Sequence, residues 1–177
     1  MKSYKKIKNK IKNLRPDFTF KKVEDIPINF LIDNHIKLIM FDMDNTLVNY
    51  KYAHTDKLKE WIKKAKEQNI KLYILTNCKN EEKVKKVSKK LGIKYIHHAS
   101  KPRRKGFEDI IKEENVEKKY VLMIGDQIFT DVFGGNNVGV NTVLVEPIDS
   151  KEKVVSKVKR PFEKLLKKFF FKERKAN

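Results

Sequence analysis

Residues 39–48 read Ile-Met-Phe-Asp-Met-Asp-Asn-Thr-Leu-Val, an apolar run that ends in Asp42 and Asp44 with Thr46 two places further on. Alternate residues of an extended chain project to the same side, so both carboxylates leave the strand end toward one small volume. Like charges held together there repel unless a cation or a shared proton offsets them. A divalent metal answers that need, and the pair then offers a nucleophile beside a proton carrier. Three more polar clusters follow, each just behind an apolar run. Thr76 and Asn77 follow 70–75, Lys101 and Pro102 follow 93–100, and Gly125-Asp126 with Asp131 follow 120–124. One such cluster is an ordinary polar turn. Four in succession are not explained that way.

What must position these groups is an alternation of strands and helices. Apolar spacing predicts strands over 37–41, 70–75, 93–97, 120–124 and 141–145, and helices over 55–68, 80–91, 105–114 and 130–136. Asn80 suits a helix start and Gly92 a helix stop. Residues 18–36 read as a connecting segment. Alternation of this kind predicts an α/β fold, a parallel sheet with helices on both faces, whose sites gather at the carboxyl ends of the strands. All four polar clusters fall at such ends.

Composition narrows the class. The 177 residues suffice for one domain with an appendage, and 40% hydrophobic residues suffice for a packed core despite 37% charged ones. The single cysteine, Cys78, excludes an internal disulfide and a multi-cysteine zinc site, and fits a reducing cytoplasmic setting. No apolar run approaches the roughly 18 residues of a membrane span, and the basic N-terminus has no signal-peptide core behind it.

The net charge of +19 is concentrated at the ends. Residues 1–22 carry nine basic side chains against Asp17, and residues 151–177 carry eleven against three glutamates, so each end holds +8. The 128 residues between them hold only +3. The chain therefore divides into a basic amphipathic N-terminal segment (1–22), a catalytic domain (23–150) and a basic amphipathic C-terminal helix (151–177). Tyr4, Ile7, Ile11 and Leu14 form one apolar stripe, and Val154, Val155, Val158, Phe162, Leu165, Leu166, Phe169 and Phe170 form the other, amid lysines. Such a helix either closes the fold or lies in the headgroup region of a membrane, where each basic residue contributes about 1 kcal/mol near anionic lipid.

The set Asp42-Met-Asp44-Asn-Thr46, Leu75-Thr76-Asn77, Lys101-Pro102 with Gly106-Phe107, and Gly125-Asp126 with Thr130-Asp131 resembles the haloacid dehalogenase (HAD) superfamily of phosphatases. The details are similar to its small subfamily IIIA group of bacterial YqeG-like proteins and phosphatidylglycerophosphate phosphatases. The resemblance spans roughly residues 14–150. It implies a HAD-like Rossmannoid fold in which Asp42 attacks phosphorus and Asp44 moves the proton. It implies further that Lys101 neutralises the transition state, while Thr76 and the Asn77 backbone bind the phosphoryl oxygens. Thr46 supports the first loop or the substrate. Mg2+ is the implied cofactor, held by Asp42, Asp44 through its carbonyl, Asp126, and Asp131 directly or through water. Lys105 is the rival to Lys101, Thr130 reads as a helix start, and Cys78, His97 and His98 receive no role.

Only 30 positions separate Thr46 from Thr76, and 24 separate Asn77 from Lys101. Each gap is consumed by one helix and one strand, which leaves no room for the cap domain of many HAD enzymes. A capless, open site suits a substrate too large to engulf. The expected partner is a lipid phosphate head group such as that of phosphatidylglycerophosphate, with the protein peripheral on an anionic membrane surface. The alternatives are a phosphatase of nucleic-acid ends or phosphoproteins and a non-enzymatic RNA- or ribosome-binding module.

Overall fold

A computed structural model describes residues 13–149. Its strands are β1 (Phe18–Phe20), β2 (Leu38–Phe41), β3 (Lys71–Leu75), β4 (Lys94–Ile96), β5 (Val121–Gly125) and β6 (Asn141–Val145). Its helices are α1 (Ile28–Asp33), α2 (Asp56–Glu67), α3 (Glu81–Leu91), α4 (Lys105–Glu114) and α5 (Phe133–Val138). The strands pair in parallel in the order β1-β6-β5-β2-β3-β4. From β2 the chain steps outward to β3 and β4, then returns to the other side for β5 and β6. The switch point therefore lies between β2 and β5, where open α/β sheets form their crevice.

Every residue of β2 is buried, as expected of a strand covered on both faces. Ile39 and Phe41 pack with Leu31 of α1, Trp61 of α2 and Val84 of α3. Leu38 and Met40 pack with Phe107 and Ile110 of α4 and with Val138 of α5. The helices begin and end on local chemistry. Thr55 Oγ1 accepts from the Leu58 N–H and caps α2, Asn80 Oδ1 accepts from the Lys83 N–H and caps α3, and Gly92 ends α3 at φ +62°. The predicted strands and helices that carry the polar clusters are thus all present.

The reading of 18–36 as a plain connector is corrected. Phe18–Phe20 pairs with Val143–Val145 as the edge strand, and its rings pack edge-on against Phe30 at 4.8 and 5.5 Å. Trp61 Nε1 donates to the Ile26 carbonyl at 2.6 Å and pins the connection beneath α2. The sheet thus begins five residues before the expected domain start at 23. The helix expected from Thr130 is preceded by a π-helical turn, Ile128–Val132, that runs into α5. Of the N-terminal stripe only Leu14 is described, packed against Ile128, Val132 and Leu144; Tyr4, Ile7, Ile11 and the stripe of 151–177 lie outside the described residues.

Candidate active site

β2 and β5 are in register, with Phe41 opposite Ile124, and the Asp42 N–H extends the ladder to the Ile124 carbonyl at 2.9 Å. Asp42 thus leaves β2 where Asp126 leaves β5. Lys101 arrives from the loop between β4 and α4. Its ammonium donates to Asp42 Oδ1 and to Asp131 Oδ1, both at 2.7 Å, and its side chain is 1% exposed. A lysine buried without a partner would cost several kcal/mol, and these carboxylates offset that cost. Lys105 is instead paired with Asp109 on the exposed face of α4.

The backbone of Lys101 is fixed by Asn77. The Lys101 N–H donates to Asn77 Oδ1 at 2.6 Å, and Asn77 Nδ2 donates to the Lys101 carbonyl at 3.0 Å. The side chain of Asn77 is therefore a clamp on the lysine loop, a role the sequence reading did not assign. Thr76 is buried, and its Oγ1 accepts from the Cys78 N–H at 3.1 Å, which leaves its hydroxyl proton to donate elsewhere. Asp131 Oδ2 accepts from the Gln127 N–H at 3.1 Å, so the π-helical turn orients that carboxylate toward the lysine.

In the loop after β2, the N–H groups of Thr46, Leu47 and Val48 converge on the Met43 carbonyl, and Asn45 turns the chain at φ +63°. Asn adopts this left-handed conformation at low cost. Asp44 is half-buried in this loop, and Thr46 is buried with its hydroxyl making no hydrogen bond among the described residues. His97 pairs with Glu81 at 3.5 Å, and exposed His98 bonds by its N–H to the Cys78 carbonyl.

The electrostatics follow from burial. Desolvation pushes the Asp42 carboxyl up to about 7; Lys101 opposes the rise, while Asp131 and Asp44 add to it. Burial pushes the Lys101 ammonium down, but Asp131 and Asp42 together hold it above its ordinary value. One lysine cannot balance the acidic groups converging here. Asp42, Asp126 and Asp131 are all buried, and one oxygen from each lies within 4.8 Å of the others. Octahedral magnesium at about 2.1 Å from its ligands sets oxygens about 3 to 4.2 Å apart, so this all-oxygen donor set fits a hard divalent cation with small adjustments.

A family model described as mitochondrial PGP phosphatase matches residues 1–149. The chain belongs to that family. It is 37% identical over 150 residues to "Probable phosphatase YqeG" of Bacillus subtilis (strain 168), covering 84% of this chain and 87% of that protein. It is 29% identical over 165 residues to "Phosphatidylglycerophosphate phosphatase 1, chloroplastic/mitochondrial" of Arabidopsis thaliana, covering 87% of this chain but only 47% of the plant protein. Among solved structures, an uncharacterized protein from Listeria monocytogenes serotype 4b aligns with a TM-score of 0.53 at 20% identity. That alignment covers 76% of this chain and 99% of the other, a likeness of fold. This PGP phosphatase family member is thus a HAD phosphatase of the YqeG group, with a parallel α/β sheet.

Gly125, just ahead of Asp126, is a glycine for a steric reason. A methyl group on Gly125 would stand 2.2 Å from Asp131 Oδ2 and 2.3 Å from its Cγ. No Cβ tolerates such an approach, so Gly125→Ala must expel the Asp131 carboxylate from Lys101. Phosphatase activity of that variant is expected to fall about a hundredfold or more, with a stability loss of about 1–3 kcal/mol in urea denaturation. Wild-type turnover would show that Asp131 has no part in the site.

Proposed function

We propose that this chain is a magnesium-dependent phosphomonoesterase that works through an aspartyl-phosphate at Asp42 and takes a lipid phosphate such as phosphatidylglycerophosphate at an anionic membrane surface. The observation that carries the reading is the buried Asp42–Lys101–Asp131 ion-pair chain beside Asp126 at the sheet's switch point.

Asp42 attacks phosphorus, a bond to its carboxylate oxygen forms, and the bond to the leaving alcohol breaks as Asp44 delivers a proton to that oxygen. Water then attacks the same phosphorus, Asp44 takes the water's proton, and the bond to Asp42 breaks to release inorganic phosphate. Lys101 holds positive charge beside Asp42 through both steps, and the Thr76 hydroxyl proton serves a phosphoryl oxygen. Asp42, Asp126, Asp131 and the Asp44 carbonyl would hold Mg2+, which when bound shields the nucleophile from the anionic ester and polarises the phosphoryl group.

The lipid assignment rests on three supports. The plant relative bears phosphatidylglycerophosphate phosphatase in its name, two chain ends carry +8 each, and α2, β3, α3 and β4 fill the intervals where a cap domain would be inserted. No helix among the described residues is long and apolar enough to cross a membrane; the mode proposed, from the basic chain ends, is peripheral attachment. Turnover of phosphatidylglycerophosphate in detergent micelles is expected to exceed that of a 3′-phosphorylated oligonucleotide, measured as phosphate release. The reverse order overturns the lipid assignment and favours nucleic-acid ends.

A further inference from the structure

The loop that carries Asp44 is tied down by a part of the chain that the reaction above does not use. β6 ends at Val145, and the Glu146 N–H donates to the Lys21 carbonyl at 3.1 Å, so the chain behind β6 leaves from a fixed point on the sheet. It then meets the loop behind β2. The Ile148 N–H donates to the Asn45 carbonyl at 3.0 Å, and the Asp149 N–H reaches Asn45 Oδ1 at 3.4 Å. The Tyr50 N–H donates to Asp149 Oδ2 at 2.9 Å. Two adjacent residues, Ile148 and Asp149, thereby hold both ends of the stretch 45–50.

β5 stands between β6 and β2, so the ladder of the sheet does not join these two strand ends. The strap of Ile148 and Asp149 does. Within the loop, the Asn45 N–H donates to the Val48 carbonyl at 2.8 Å, and Asn49 Oδ1 accepts from the Lys51 and Ala53 N–H groups, each at 3.0 Å. Those bonds fix the shape of the loop. Buried Leu47 and Val48 seat its middle in the core, and the strap sets its half-buried polar rim, where Asp44 and Asn45 lie. Asn45 shares a peptide bond with Asp44, so a rotation there swings the Asp44 carboxyl. A misplacement of about 1 Å at a reacting group costs on the order of a hundredfold in rate.

We propose that Asp149 is a positioning residue, which together with the Ile148 N–H holds the Asp44–Asn45 peptide so that the Asp44 carboxyl meets the leaving oxygen. This role rests on the phosphomonoesterase reading and deepens it, adding two residues behind β6 that act through the loop.

The test uses the full chain with magnesium and two esters of similar size, benzyl phosphate and 4-nitrophenyl phosphate. A benzyl alkoxide needs a proton to depart, whereas a nitrophenolate leaves without one. Asp44→Asn sets the size of the effect when the proton carrier is removed outright. Asp149→Ala is expected to lower kcat/KM for benzyl phosphate about tenfold or more while changing that for the nitrophenyl ester less than about threefold. Asp149→Asn keeps an oxygen for the Tyr50 N–H and should restore most of the loss. Ile148→Pro removes the other N–H of the strap, should give the same split, and decides alone should the Ala variant fail to fold. In the metal-free protein, amide exchange across residues 43–53 should quicken in Asp149→Ala and Ile148→Pro but not in Asp149→Asn. An equal loss on both esters, an unchanged ratio, unchanged exchange, or wild-type hydrolysis confined to the nitrophenyl ester overturns the positioning role and leaves the phosphomonoesterase reading standing. Failure of wild type on both esters overturns both.

Discussion

Asp42→Asn is expected to abolish magnesium-dependent phosphate release from an aryl phosphate, by about 10⁴-fold or more, with the fold intact. An amide cannot form the acyl phosphate, and removing a nucleophile typically costs catalysis on that scale. The variant should lose none of the wild type's thermal stability above pH 7, because the substitution removes a carboxylate that burial makes costly to ionise. Lys101 retains its bond to Asp131. The decisive measurement is acid-stable versus labile incorporation of radiolabelled phosphate during turnover. Wild type should trap a label with the lability of an acyl phosphate, and the variant should trap none. Activity preserved in Asp42→Asn would remove the proposed nucleophile and the mechanism with it.

Lys101→Met should act on stability as strongly as on rate. It strips the shared ammonium from Asp42 and Asp131 and leaves buried carboxylates facing one another. Breaking a buried pair in this way costs about 3–5 kcal/mol, and loss of a transition-state cation costs about 10²–10³ in rate. Magnesium should return part of the lost stability but not the rate. The pH dependence has a definite sign. Asp42 has a folded-state value of about 7, above its ordinary 3.8, so between these limits the metal-free folded protein holds a proton that the unfolded chain has released. Stability of the metal-free wild type therefore falls as pH rises from about 4 to 7, by up to about 4 kcal/mol from this group. A cation that binds the ionised carboxylates should stabilise the protein more at pH 8 than at pH 5. Equal magnesium stabilisation at both values, read by thermal unfolding, would argue against Asp42 as a ligand.

Much of this arrangement is legible in the residues themselves. Continuous apolar runs announce buried parallel strands, and each polar cluster marks a strand end, because a charged group directly behind a fully buried strand has only the sheet's edge to occupy. Asn80 and Gly92 declare the limits of α3 for equally local reasons. The strand Phe18–Phe20 was not legible, since three residues give no period and its order comes from β6 and Phe30, far away in sequence. The clamp of Asn77 on Lys101 was hidden for a similar reason. An Asn after a strand looks like a turn residue, and only the meeting of two loops shows what its amide holds.

The alignment of Phe41 with Ile74 on one side and Ile124 on the other has a consequence beyond chemistry. Were β2 to settle one notch out of step, it would keep most of its ladder bonds and remain as greasy as before, since both of its faces are apolar. Yet Asp42 would then point to the opposite layer, away from its ammonium. Hydrophobicity alone hardly tells the two alignments apart, so the buried charges act as the proofreader that penalises the wrong one. A batch of well-folded-looking but inert protein would be the visible trace of that error.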